Sequence, residues 1–460
     1  MNKIIQEVMK KITHEYTQSV EKMLDNNADV SDLILEVKKT LDDVGVTLIK
    51  EALEITDDVI RDSKSRKESH YIQRRNDPKT LITFFGEVNY QRTYYKNKKT
   101  GEYGYLSDAF VGLEPHARID LSTKAKLVEQ SLDLSYQKSA NQLLDNVDIS
   151  DQTVMNAIRE IGPVENEAVQ VPPKETPRII YIEADEDHVS IQDGTNKIMK
   201  LIYVHEGKEL VSKGRYELQG LRYFTGNYSS NEDLWLEVAN YIDSAYDMDK
   251  VEKIFLSGDG AKWIKEGLDW IKGSEYVLDY FHLSKYVKKA TAHMNEARKL
   301  LWKHIHRKDK EAVEVLLDTI IYETDLDTKR AAVRECKKYI LNNWEGILKS
   351  FDKDYIGCSA EGHISHILSA RLSSRPLGWS ITGADEMARL RVYRANGGNV
   401  YQFMKDNKSR ERQKKKDLKI DKRVIKKRMR KPMQETMDNV PALNIGRKNW
   451  QRQCLKSVAF

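Results

Sequence analysis

Cysteine is scarce in this 460-residue chain: Cys336, Cys358 and Cys454 stand far apart. Their spacing offers neither a disulfide framework nor a zinc motif, and it suits a reducing cytoplasm. Long apolar runs are missing too. None approaches the ~18–20 residues that a membrane-spanning helix needs, which excludes a helical membrane protein. The opening residues, MNKIIQEVMKKITHEY, are amphipathic and carry acids, so they do not read as a secretory signal. A large surplus of one charge is also lacking, with 76 Lys+Arg against 71 Asp+Glu. What is present is a hydrophobic share of 40% and a charged share of 32%, a globular rather than a disordered balance. The length allows two to four domains and at least one sizeable core.

The near-neutral total hides an uneven distribution. Residues 401–460 carry 19 Lys+Arg and 6 Asp+Glu, a net of +13, so the rest of the chain is net acidic. The block KKKDLKIDKRVIKKRMRK (Lys414–Lys431) suits a phosphate-binding arm with salt-dependent, sequence-independent affinity; a solvated tail is the alternative.

Along the chain the periodicity changes several times. Residues 1–65 show helical spacing, in Ile4, Ile5, Val8, Met9 and Ile12 and again from Leu33 to Ile60. The basic stretch Arg61–Thr80 reads as a linker. A small β unit within 66–120 follows, in which Arg92, Tyr94, Tyr95 and Lys96 are either packing residues or nucleic-acid contacts. Residues 121–165 turn helical. Tyr136–Leu144, a turn at 145–149 and a helix capped by Ser150 or Asp151 resemble a helix-turn-helix. Gln152, Thr153, Asn156 and Arg159 lie where a recognition helix meets base edges in the major groove; plain helical packing is the alternative. The prolines at 172, 173 and 177 mark a domain boundary.

From 178 the elements read β-β-β-α-β-α-β, with the third strand drawn from RYELQGLRYFTGNY and the first helix capped by Asn231. Residues 178–282 form the first part of a core, 283–353 a helical insertion, and 354–400 the last part of the core. This predicts an α+β multidomain protein with a mixed five-stranded sheet.

Three acids on separate elements draw the eye. Asp185 is central in the strand segment Glu183-Ala184-Asp185-Glu186-Asp187, where residues 183, 185 and 187 share a face. Like charges so close are costly unless a cation offsets them. Asp259 follows the apolar strand ending Ser257-Gly258, at the carboxyl end where open sheets place their sites. Glu361 opens a helix, where a first-turn acid also suits the dipole. Hard cations such as magnesium take oxygen ligands from converging carboxylates. Asp279-Tyr280-Phe281-His282 ends the last strand, and His282 is either a phosphate- or water-positioning group or a structural histidine. His363 and His366 lack a third ligand. Arg371, Arg375, Arg391 and Arg394 are candidates to grip phosphates.

The motifs YIEADEDHVSIQDG, FLSGDGAKWIKEG, VLDYFHLSKYV and GCSAEGHISHILSARLSSRPLGWS resemble those of bacterial insertion-sequence transposases of the ISLre type. That group is related to Mutator-like transposases with an Asp-Asp-Glu triad. The resemblance spans most of the chain and implies a ribonuclease H-like core with Asp185, Asp259 and Glu361 as triad and metal ligands. Asp279 and His282 match the (Cys/Asp)-x-x-His motif of the Mutator relatives, though the first acid stands among others, leaving Glu183 and Asp187 as rivals to Asp185. It further implies two magnesium ions, with manganese as a substitute, clamping the attacking and leaving oxygens of a phosphodiester. The expected partners are double-stranded DNA, as terminal repeats and target, and at least a second copy of the chain for synapsis. No membrane or small-molecule substrate is expected, and a bacterial, nucleoid-associated cytoplasmic protein is. A domesticated DNA-binding protein without catalysis, or a hydrolytic nuclease, is the alternative.

Overall fold

The computed structural model describes residues 2–25, 27–143, 147–171, 174–375 and 378–413. They fall into two compact units: one takes the chain up to Ser131, Ser135–Ala157 and the described residues from Val400, the other Leu132–Leu134 and Ile158–Asn399. The basic block Lys414–Lys431 lies outside the described residues, as does part of the turn expected at 145–149.

The first unit begins with helices Asn2–Leu24 and Val30–Asp62. Asp29 caps the second: its carboxylate accepts from the backbone of Ser31 and Asp32, while Asp32 returns the bond to Asp29 N. Such reciprocal capping satisfies donors that a helix start leaves orphaned. The two helices are tied by Lys11–Asp43 at 2.7 Å and Lys22–Glu36 at 2.8 Å.

Strands β1 (His70–Thr83), β2 (Gly86–Asn97) and β3 (Tyr103–Gly104) form an antiparallel sheet in that order. The linker expected over Arg61–Thr80 is therefore largely strand. Its charges misled because β1 is an edge strand with a solvent-facing side, and Pro78, opposite Gln91, is tolerated at an edge where its missing N–H has no strand to bond. The long helix lies on β2, where Asp57 accepts from Thr93 N at 3.0 Å and Thr93 Oγ1 at 2.6 Å. Leu81, Val88 and Tyr90 pack there against Val46, Ile49 and Leu53.

The second unit centres on a mixed five-stranded sheet. Its strands are β4 (Ile179–Ser190), β5 (Asn196–His205), β8 (Arg222–Thr225), β9 (Lys253–Gly258) and β10 (Ser274–Leu278). Their order is β10-β9-β4-β5-β8, with β4–β5 and β5–β8 antiparallel and β9 and β10 parallel to β4. Between β5 and β8 the chain makes a separate ribbon, β6 (Gly207–Ser212) with β7 (Arg215–Gln219). The expected third strand is thus divided. Gly207 and Gly220, both at positive φ, bound the ribbon and let only Arg222–Thr225 return to the sheet.

One face of the sheet carries the main apolar core: Ile180, Ile182, Ala184, Ile202, Val204, Ile254 and Leu256 pack under Leu234, Trp235, Val238 and Ile242 of helix Asn231–Ala245. That helix is capped by Ser230, not Asn231, whose side chain instead meets Lys200 and Glu266. The opposite face starts apolar at Ile179, Tyr181, Phe255 and Val277, beneath Tyr355 and Ile356. Further along β4 the same face carries Glu183, Asp185 and Asp187.

After β10 come five helices, Tyr280–Ala290, Asn295–His306, Lys310–Glu323, Asp327–Asn342 and Trp344–Lys349. They bury their own core of Leu301, Ile305, Val313, Leu317, Ile320, Val333 and Ile340. Helix Ala360–Ile364, a π-helical turn Ser365–Ser369, Ala370–Leu372 and helix Ile381–Ala395 complete the unit. Among the described residues no helix is long and apolar enough to cross a membrane.

Candidate active site

The acidic face of β4 meets the end of β9. The last paired positions there are Glu183 and Ser257. Two residues further on stand Asp185, still within β4, and Asp259, the first residue past β9; paired strands lie about 4.8 Å apart. Glycine makes this junction: a Cβ on Gly258 would stand 2.9 Å from the Ala184 carbonyl oxygen and 2.7 Å from Ile264 Cδ1, and Gly260 takes φ +94°. The Asp259 carboxylate then accepts from Ala261 N at 2.8 Å, and its carbonyl from the Tyr339 hydroxyl of the helical block.

The three acids of β4 do different things. Glu183, 2% exposed, is saturated: it accepts from the Tyr203 hydroxyl, His205 Nε2 at 2.9 Å, Ser359 N at 2.5 Å and Ser359 Oγ at 3.2 Å. Burial pushes its pKa up, but these donors outweigh burial and hold it below the usual carboxylate range. Asp187 accepts from Ser373 Oγ at 2.8 Å through one oxygen; the other is buried without a partner. Asp185, 8% exposed, accepts among the described residues from Glu186 N alone, at 2.9 Å. Burial raises its pKa to about 6; the Glu186 N–H and the nearby His282 oppose this, while the charges of Asp259 and Glu361 add to it.

His282 is set by Asp279, which ends β10 and caps the next helix. Asp279 accepts from Phe281 N at 3.1 Å and pairs with His282 Nδ1 at 2.9 Å. That bond raises the histidine's pKa; burial opposes it, and the charges of Asp279, Asp185 and Asp259 add to it. With Nδ1 engaged, Nε2 is left for another group. Glu361 is the second residue of its short helix and exposed, and its carboxylate has no hydrogen bond or ion pair among the described residues.

Oxygen donors of this type suit a hard divalent cation. No Lys or Arg forms an ion pair with Asp185, Asp259 or Glu361 among the described residues, and the positive groups that feel their charge are His282 and, through Asp259, Lys265. The orphaned Asp187 oxygen points to the same need. Against this, among the described residues no three His, Cys, Asp or Glu side chains are gathered closely enough to hold a metal ion. The residues fit a cation by chemistry and field, and are not drawn together around one.

Residues 23–409 match the model of an uncharacterised protein family, UPF0236. The chain belongs to that family. A UPF0236 protein of Caldanaerobacter subterraneus subsp. tengcongensis, whose name joins eleven locus designations, is 42% identical over 439 residues, 95% of this chain and 93% of its own. Another from the same organism is 42% identical over 444 residues, 95% of this chain and 94% of its own. A UPF0236 protein of Streptococcus gallolyticus, named for the vanSb 3′ region, is 26% identical over 396 residues, 82% of this chain and 85% of its own.

In this UPF0236 protein the expected arginines divide. Arg391 is 6% exposed and spends its guanidinium on the carbonyls of Ile367 (2.5 Å), His366 (2.6 Å) and Leu132 and on Asp133 (3.0 Å). Buried and with four of its five N–H donors engaged, it is a structural tie, which corrects its reading as a phosphate contact. Arg371, also 6% exposed, lies 4.8 Å from the Trp379 ring and is likewise no open phosphate grip. Arg394 is part-exposed and bidentate to Asp133, both contacts at 2.6 Å. Arg375 is exposed. His363 is no metal partner of His366: its Nδ1 bonds the Tyr223 hydroxyl at 2.6 Å and its ring lies 4.5 Å from Tyr203.

The helix carrying Gln152, Thr153, Asn156 and Arg159 spans Asp151–Ile161, preceded by helix Tyr136–Leu143. Ser150 Oγ accepts from Thr153 N at 3.2 Å. Gln152, Asn156 and Arg159 are exposed, with Gln152 donating to Asn156 at 3.0 Å; Thr153 is half-buried. Sequence reasoning missed Tyr203, His205 and Ser359. The Asp193-Gly194 turn was a usable signal for the first two, because it fixes the β4–β5 register that sets Tyr203 opposite Glu183.

Proposed function

We propose that this protein is a DNA transposase that cuts the ends of a mobile element and joins them to target DNA. The observation that carries the reading is that Asp185 and Asp259 each stand two residues beyond the last paired positions of the adjacent parallel strands β4 and β9, with no Lys or Arg ion-paired to either among the described residues. The strand order supports a ribonuclease H-like core: three antiparallel strands, then two parallel ones added beside the first, with a helical block before Glu361. A relative named for eleven loci, and others named for four and two, are in keeping with a gene that multiplies within its host.

On this reading Asp185, Asp259 and Glu361 are the residues that would hold divalent magnesium. Such ions supply charge that stabilises the attacking and leaving oxygens of an in-line displacement. The chain's own residues position and compensate. Asp279 fixes the ring of His282, whose Nε2 donates to a phosphate oxygen. Gln152, Asn156 and Arg159, exposed on one helix, read element ends, and Arg375 meets backbone phosphate.

A second reading has its own support: a DNA-binding protein without catalysis, favoured because no three ligating side chains are gathered among the described residues. The test incubates the protein with element-flanking DNA and Mg2+ or Mn2+ and follows nicking and transfer of a 3′-hydroxyl end. Asp259→Asn should lower both at least about 100-fold, the scale of losing one essential electrostatic group. Equal rates in wild type and variant refute the transposase reading. Binding without nicking supports the second reading, and nicking without transfer a hydrolytic nuclease.

A further inference from the structure

We infer that Glu183 is a positioning residue that sets Glu361 against the sheet, acting through the backbone of Ser359. This rests on the proposed reading of Asp185, Asp259 and Glu361 as one cation-holding set.

Glu361 lies outside the strands of the sheet: it follows a loop after the helical block and is the second residue of a helix of only five. One β4 carboxylate ties the residue just before this helix to the strand. Glu183 Oε2 receives Ser359 N at 2.5 Å, Ser359 Oγ at 3.2 Å and the Tyr203 hydroxyl, which also meets Ser359 Oγ at 2.9 Å. Glu183 Oε1 receives His205 Nε2. On the far side of Glu361, His363 is held by the Tyr223 hydroxyl and the Tyr203 ring. Residues 359 and 363 are thus pinned from β4, β5 and β8, and Glu361 is the exposed residue midway between the pins. Because Glu183 lies two positions from Asp185 on the same strand face, one strand both carries the proposed first ligand and fixes the last.

The histidine makes the charge of Glu183 dispensable. Its Nδ1 stands 3.2 Å from Gly207 O and 3.3 Å from Gly207 N, so it can donate to one or accept from the other. With Gln at 183 the amide oxygen takes the Oε2 position and keeps all three donors. The amide NH2 then faces His205 Nε2, which accepts once the other tautomer donates to Gly207 O.

The test is a double-mutant cycle read as Mn2+ affinity by calorimetry on the full chain, with thermal melting of every variant. Glu183→Ala should weaken Mn2+ binding about tenfold, the usual scale for a group that orients a ligand. In a Glu361→Gln background the same change should alter affinity less than about twofold, because its effect passes through Glu361. Glu183→Gln should stay within about threefold of wild type. Ser359→Ala, which removes the hydroxyl that meets both Glu183 and Tyr203 without touching the buried sheet, should weaken binding in the same direction and serves if Glu183→Ala does not melt cooperatively. Additive losses in the two backgrounds, or a Gln variant as weak as Ala, overturn the inference while leaving the site reading intact. A wild type that binds no Mn2+ overturns both.

Discussion

Replacing Arg391 by Met separates a structural arginine from a DNA-gripping one. Methionine keeps an unbranched stem of similar length and removes every donor. The loss leaves the carbonyls of Leu132, His366 and Ile367 without their charged donor, while Asp133 retains Arg394. Each buried acceptor left unsatisfied costs about 1–3 kcal/mol. Recovering the hydration of a buried guanidinium offsets part of that, and breaking a buried charged tie costs about 3–5 kcal/mol net. For a unit of this size each kcal/mol moves the melting temperature by about 2–4 °C, so a fall of roughly 6–20 °C is expected.

The companion measurement is DNA affinity against salt. A phosphate contact contributes about 0.9 to the slope of log affinity on log salt. Arg391→Met should leave that slope unchanged while melting early. Arg375→Ala, at an exposed position, should do the reverse. An Arg391→Met protein with wild-type melting and a slope reduced by about one would refute the assignment.

Two other outcomes follow from the place where β4 and β9 part. Asp185→Asn should raise metal-free stability by about 0.5–2 kcal/mol, the usual gain when a strained functional site is relaxed, and should abolish any Mn2+-dependent rise in melting temperature; calorimetric scans with and without Mn2+ check both, and a less stable Asn variant would count against an uncompensated charge there. Gly258→Ala should cost about 1–3 kcal/mol, because a new Cβ 2.9 Å from the Ala184 carbonyl oxygen forces β4 and β9 apart. Denaturant titration reads that cost, and an unchanged midpoint would mean that the junction is looser than drawn.

The sheet was legible where burial on both faces leaves a continuous apolar run closed by glycine, as in Lys253–Gly258, or where Asp193-Gly194 turns a hairpin. It was illegible where charge and strand coincide. β1 carries Arg74, Arg75 and Lys79 on an edge, and local composition cannot distinguish that from a linker. The β6–β7 ribbon hid because its residues are exposed, so they show no burial pattern that separates them from β8. Arg391 was misread for a different reason. It lies on a helix whose residues 386–393 are all buried, and nothing local announces that a charged residue there will find Leu132, 259 positions away.

Glu183 presents the same difficulty, since its bond to Ser359 spans 176 positions and periodicity carries no information at that range. The physics of the strand nevertheless orders its acids once the fold is known. Successive same-face residues climb from the apolar floor of Tyr181 and Phe255 toward the open sheet end. At the floor a carboxylate survives only if fully bonded, because an unpaired charge in a low dielectric is prohibitive; Glu183 meets that condition and is thereby unavailable to a ligand. Two residues on, Asp185 is still buried yet carries one hydrogen bond, which is the state a carboxylate must be in if a cation is to complete it. Depth therefore sets Glu183, which satisfies the fold, apart from Asp185 and Asp187, which are equally exposed at 8% and keep unused acceptor capacity.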